Sequence, residues 1–116
     1  MSRHDDTVYL RHMPEHARTA VVLAEGKHRT SLETEPLLRY SLLHLVCILG
    51  EAANRVSDAG RARYSAIAWR NITGMRNMLI HGYDRVDLDI LWATVIDDLP
   101  VTIRSLEEAL SEADHP

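Results

Sequence analysis

The sequence has no phenylalanine and a single cysteine, Cys47, among 116 residues. One cysteine excludes an intrachain disulfide, and no Cys/His cluster has zinc-finger spacing, so no covalent or zinc staple is expected. Cys47 lies within the apolar run Leu45-Val46-Cys47-Ile48-Leu49, where its expected role is that of a small buried hydrophobe in a reducing cytoplasm. No uninterrupted apolar run approaches the roughly 18 residues of a membrane span. The start, Met-Ser-Arg-His-Asp-Asp, has no apolar h-region, so a cytoplasmic location is expected rather than a secreted one. Aromatic residues make up only 5% of the chain while hydrophobic residues reach 46%. Leucine, isoleucine, valine and alanine must therefore fill one core, in a chain whose length suits one domain.

The net charge is −4, which argues against a general nucleic-acid coat protein. The charge is unevenly distributed, however. Residues 61–86 carry five arginines (Arg61, Arg63, Arg70, Arg76, Arg85) and one acid, Asp84, whereas the rest of the chain from Asp87 carries eight acids and one base, Arg104. A local cationic surface on an acidic protein can attract RNA. Solvated helix faces give the same asymmetry.

Apolar spacing is helical throughout, with no period-2 strand signal and no internal repeat. Leu10, Met13, Ala17, Val21 and Ala24 predict an amphipathic helix over residues 5–25. Pro14 should delay or kink it, and Gly26 should stop it. Thr30 with Glu33 has the form of a capping box. Pro36 suits the first turn of a long central helix reaching about Val56. Asp58 is placed to cap a short helix ending near Tyr64. A further helix is expected over 66–81 with Gly82 as its stop. Asp87 should cap the next, whose stripe of Leu88, Leu91, Trp92, Val95, Ile96 and Leu99 meets a kink or restart at Pro100. Ile103, Leu106 and Leu110 carry the stripe on to about Glu112. The expected fold is all-α, an up-and-down bundle of four to five helices. Residues 1–112 form its single domain and 113–116 a frayed tail.

The densest chemistry lies in Arg76-Asn77-Met78-Leu79-Ile80-His81-Gly82-Tyr83. On a continuous helix Asn77 and His81 would share a face. Arg76 and His81 would stand about 140° apart around the axis. Arginine offers a permanently charged planar fork to phosphate oxygens. Imidazole can give or take a proton near neutral pH. RNA carries its own nucleophile, the 2′-OH, so such a pair can cut it without a metal. By spacing alone, a structural arginine and a surface histidine are the commoner case.

The longer string from Trp69 to Tyr83 resembles the signature of the HepT-like branch of the HEPN family: a tryptophan, a Gly-Met pair (Gly74-Met75), Arg-Asn (Arg76-Asn77), then His-x-Tyr (His81 to Tyr83). Tyr9-Leu10, the segment Ile48-Leu49-Gly50-Glu51-Ala52-Ala53, Val86-Asp87-Leu88, Leu91-Trp92 and Asp98-Leu99-Pro100 resemble the rest of that family's pattern. The resemblance spans nearly the whole chain. It implies the toxin of a type VII-like toxin–antitoxin system: an endoribonuclease that needs no metal or other cofactor and acts as a homodimer. The motif-bearing helices would meet across an interface cleft.

Carried over residue by residue, the resemblance makes Arg76 the ligand of the scissile phosphate and His81 the general base or acid. Asn77 would support them by hydrogen bonding, and Glu51 would fix the fork of Arg76. The expected products are a 2′,3′-cyclic phosphate and a 5′-OH. The implied partner is a minimal nucleotidyltransferase antitoxin that uses ATP to place AMP on Tyr83. Bulk and negative charge there would block RNA and occupy the cation. Gly50 and Gly74 are candidates for close helix approach at the dimer interface. Trp69, Trp92, Met75 and Met78 read as packing residues. Two alternatives stay open: a non-catalytic, nucleotide-binding HEPN subunit that partners a nucleotidyltransferase, and a structural helical dimer. Tyr83 can equally be an aromatic that closes a helix end, and Glu51 a surface carboxylate.

Overall fold

The computed structural model describes residues 4–81 and 85–114, without the side chains of residues 4, 5, 78, 80, 81, 113 and 114. The long helices are α1 (His4–Ala24), α3 (Pro36–Arg55), α5 (Trp69–Leu79) and α7 (Leu99–Asp114). Shorter pieces join them: α2 (Ser31–Thr34), α4 (Asp58–Arg63) and α6 (Leu88–Ala93). α1 packs between α3 and α7, and α3 between α1 and α5, so the expected all-α bundle is present.

Helix α1 buries Leu10, Met13, Ala17, Ala20 and Ala24. Pro14 lies inside it without ending it. Gly26 follows at φ 72°, the left-handed conformation that glycine adopts without a Cβ penalty and that stops a helix. The expected capping box does not form. Thr30 has a helical backbone and makes no side-chain cap bond. Ser31 Oγ instead accepts from His28 N at 3.1 Å, and Glu33 pairs with Arg29.

Helix α3 starts on Pro36 as its spacing predicts and buries Leu38, Leu42, Val46, Leu49 and Ala53. By length and composition alone it could cross a membrane, with a mean hydropathy of 1.2, although no uninterrupted apolar run suggested it. The core helix of a bundle meets the same criterion, and here α3 occupies that position.

The cap of α4 is Ser57, not Asp58: Ser57 Oγ accepts from Gly60 N at 3.0 Å. Long-range contact explains the choice. Asp6 of α1 accepts from Ser57 N at 2.8 Å and from Ser57 Oγ at 2.6 Å. This places the start of α1 beside the end of α3, so the two helices run antiparallel. Past α6, a π-helical turn spans Thr94–Asp98 and leads directly into α7. The restart expected at Pro100 takes this form. Proline has no N–H and crowds the carbonyl four residues earlier, and a widened turn relieves both. Helix α7 continues through Asp114, two residues beyond the expected end.

His12 and His16 of α1 stack edge to face with ring centroids 6.3 Å apart. Burial lowers the pKa of His16 first, the charge of His12 adds to this, Glu15 opposes it and His44 of α3 lowers it further. The unfolded chain therefore binds the His16 proton more readily than the fold does. Stability should fall as pH drops below the ordinary histidine value of about 6.5 toward the lowered one. Urea denaturation is expected to show a smaller loss on acidification for His16→Gln than for the wild type.

Candidate functional site

The site is built where α5 runs back along α3. An added Cβ at Gly50 would meet Ile72 O at 3.1 Å, so glycine lets the two backbones approach closely. That approach joins two helices of one chain, whereas the sequence had suggested an interface between chains. Gly74 has nothing within 4 Å of an added Cβ and faces open space. Trp69 anchors the start of α5, buried and donating Nε1 to Tyr64 O at 3.1 Å.

Three residues along α3 from Gly50, toward its N-terminus, Cys47 is half-buried and feels the charge of Arg76. Burial pushes the Cys47 thiol up and the Arg76 guanidinium pulls it part of the way back. The Gly50–Ile72 approach, with Arg39, Tyr40 and Leu43 facing Arg85, Val86 and Leu88, sets an antiparallel register. It carries the end of α5 toward the N-terminal half of α3. Arg76 is exposed. Among the described residues no hydrogen bond or ion pair engages its guanidinium, so its fork is available to an anion.

The expected helix over 66–81 is shorter, ending at Leu79. Ile80–His81 forms a two-residue strand, β1, paired antiparallel with β2 (Arg85–Val86), with Ile80 opposite Val86 and His81 opposite Arg85. The reason is again tertiary. Leu79 is fully buried, and its carbonyl accepts from Asp87 N at 2.7 Å, closing the hairpin. Asp87 Oδ1 caps α6 by accepting from Ile90 N at 3.0 Å, as the sequence predicts. The shared helical face of Asn77 and His81 is therefore lost, because His81 stands on extended backbone. The side chain of His81, and all of Gly82 and Tyr83, lie outside the described residues, so the expected helix stop and modification site do too.

Asn77 is exposed and lines a groove of about 700 Å³ between α5 and the α6–π segment, with Arg70, Gly74, Met75, Ile90 and Thr94. Glu51 Oε1 lies 3.3 Å from a terminal guanidinium nitrogen of Arg55, four residues on along α3. Its ion partner is thus on its own helix and not Arg76. Both groups are more than half exposed, where such pairs contribute little. Among the described residues no group of three or more His, Cys, Asp or Glu side chains is placed to hold a metal ion.

A second groove, of about 640 Å³, opens where the hairpin meets the N-terminal half of α3 and is lined by Arg39, Tyr40, Leu43, Arg85, Val86 and Leu88 together with Asp87. Sequence reasoning counted Arg85 in the basic stretch but gave Arg39 and Tyr40 no role. Their adjacency to the motif arises only because α3 and α5 are antiparallel.

The family model described as Ribonuclease HepT-like matches residues 13–109. "Putative RNase MJ1380" of Methanocaldococcus jannaschii is 26% identical over 107 residues, covering 92% of this chain and 98% of that protein. "Putative RNase TTE0752" of Caldanaerobacter subterraneus is 27% identical over 104 residues, covering 90% and 93%. "Probable ribonuclease HepT" of Thermococcus cleftensis is 34% identical over 62 residues, covering 53% and 56%. No solved structure matches the chain significantly.

Proposed function

The chain belongs to the Ribonuclease HepT-like family, and from that premise we propose that it is a metal-independent endoribonuclease toxin acting as a homodimer. The observation that carries this reading is the family match across residues 13–109, which contains the whole Arg76-to-His81 motif. The fork of Arg76, which no described residue engages, supports it. So does the hairpin that takes His81 off the helix at the same end of α5.

In the proposed reaction Arg76 binds the scissile phosphate and neutralises charge on the phosphorane. His81 removes the 2′-OH proton, the 2′ oxygen attacks phosphorus, and the bond to the 5′ oxygen breaks. An imidazolium returns a proton to that leaving oxygen, supplied by His81 of the partner subunit. The products are a 2′,3′-cyclic phosphate and a 5′-OH. Asn77 supports the site by hydrogen bonding to substrate.

The purified protein is expected to cleave single-stranded RNA in excess EDTA and to leave 5′-OH ends that polynucleotide kinase can label. Tight AMP or ATP binding without any RNA cleavage would instead make it a nucleotide-binding subunit.

The proposed antitoxin is a minimal nucleotidyltransferase that transfers AMP from ATP to the Tyr83 hydroxyl, releasing pyrophosphate. Co-expression with such an enzyme should raise the intact mass by whole AMP units and silence cleavage. Tyr83→Phe should abolish the mass increase and leave the ribonuclease active in its presence. An unchanged mass increase in Tyr83→Phe would move the modification elsewhere.

A further inference from the structure

We propose that the groove of Arg39, Tyr40 and Arg85 is a subsite for single-stranded RNA, holding an unpaired base and its flanking phosphate beside the cleavage site. It rests on the ribonuclease reading above and adds to it the part of the substrate that lies outside the motif.

The position follows from the fold. Pairing of β1 with β2 sets Arg85 opposite His81, so the groove shares its hairpin with the motif histidine. Tyr40 and Cys47, whose thiol feels the charge of Arg76, are seven residues apart on α3. That separation is about 10 Å along a helix, which a single strand covers within a few nucleotides.

The chemistry matches one ligand class. Tyr40 is 62% exposed, although a tyrosine ring of this size usually gains by burial. The Arg39 guanidinium lies 4.9 Å from its ring centroid, a cation over an aromatic face. Bases of single strands stack on such aromatic rings and guanidinium planes. Arg85 is exposed and its guanidinium makes no hydrogen bond or ion pair among the described residues, so it can meet a phosphate. The acid in the groove, Asp87, is occupied as the cap of α6. A duplex hides its base faces, so the groove selects unpaired RNA.

The walls are fixed before any ligand arrives. Arg39 donates to Leu32 O at 2.8 Å, which ties the start of α3 to α2. Arg29 Nε donates to Asp89 Oδ1 at 2.6 Å, which ties the turn before α2 to α6. Both sides of the groove are thus braced by contacts across the chain.

The test is binding of a fluorescent single-stranded RNA of about twelve nucleotides, fully 2′-O-methylated so that it has no nucleophile, at several salt concentrations. Tyr40→Leu should weaken binding about tenfold by loss of stacking. Arg85→Gln should lower the slope of log affinity against log salt by about 0.7, and Arg39→Gln should weaken binding by loss of its guanidinium plane. Arg63→Gln, on α4 beyond the other end of α3, should bind as the wild type does. Thermal melts check Arg39→Gln, whose contact with Leu32 is also structural; Tyr40 and Arg85 are exposed, so their variants keep the test decisive. Wild-type affinity and slope in those two variants would overturn the subsite while wild-type cleavage of ordinary RNA leaves the ribonuclease reading standing. Loss of nucleotidyltransferase binding in place of RNA binding would also overturn it. A wild-type protein that neither binds nor cuts RNA removes both readings.

Discussion

His81→Ala is expected to lower the rate of RNA cleavage by about 100- to 10,000-fold, the contribution of a positioned general acid or base. Arg76→Ala should cost a comparable factor, because an exposed guanidinium that no described residue engages has a phosphate as its natural counterion. The two losses should not add when combined, since each removes part of one reacting unit. Far-UV circular dichroism should report an unchanged helix content in both variants. His81 stands on the hairpin beyond the end of α5, and Arg76 makes no hydrogen bond or ion pair among the described residues that its removal would break. If both variants cut RNA and arrest growth as the wild type does, the motif is not the reaction centre and the polar groups belong to structure alone.

The largest expected effect on stability comes from the face of α3 that meets the rest of the bundle. Leu49 is fully buried, one position before the close approach at Gly50. Leu49→Ala removes core volume beside backbone already in tight contact, so the cavity has little room to collapse. The expected cost is about 2–5 kcal/mol, a large part of the roughly 5–15 kcal/mol that holds a domain together. The melting temperature should fall by on the order of 10 °C. Because α3 and α5 set the position of Arg76, cleavage should fall in parallel with the folded fraction. A melting temperature within a degree or two of the wild type would mean that this contact contributes little to stability.

Much of the architecture was legible because it is encoded over three or four residues. The spacing of Leu38, Leu42, Leu49 and Ala53 wrote one face of α3, and Pro36 marked its first turn. Asp87 is a cap that a reader can find, because its acceptor and the Ile90 N–H are three residues apart. The motif was legible in the same way, as a local string whose longer context resembles one family. Where local signals misled, a competing partner had intervened, distant in one case and near in the other. Ser57 displaced Asp58 as the cap because Asp6, fifty-one residues away, holds both its N–H and its hydroxyl. Thr30 and Glu33 did not form their box because Glu33 was taken by Arg29.

The sequence by itself determined the helical class, the order and approximate limits of the long helices, and the identity of the motif residues, all of which are properties of neighbours along the chain. The tertiary structure alone decided where α5 stops. Burial of Leu79 and the bond from Asp87 N to its carbonyl turn Ile80 and His81 onto extended backbone, and a helical period cannot foretell that. It also decided that the charge of Arg76 reaches Cys47 and that Glu51 pairs with Arg55. Finally, it brought Arg39 and Tyr40 to the hairpin that carries His81. That meeting depends on two helices packed antiparallel through a glycine, and no spacing along a single chain records it.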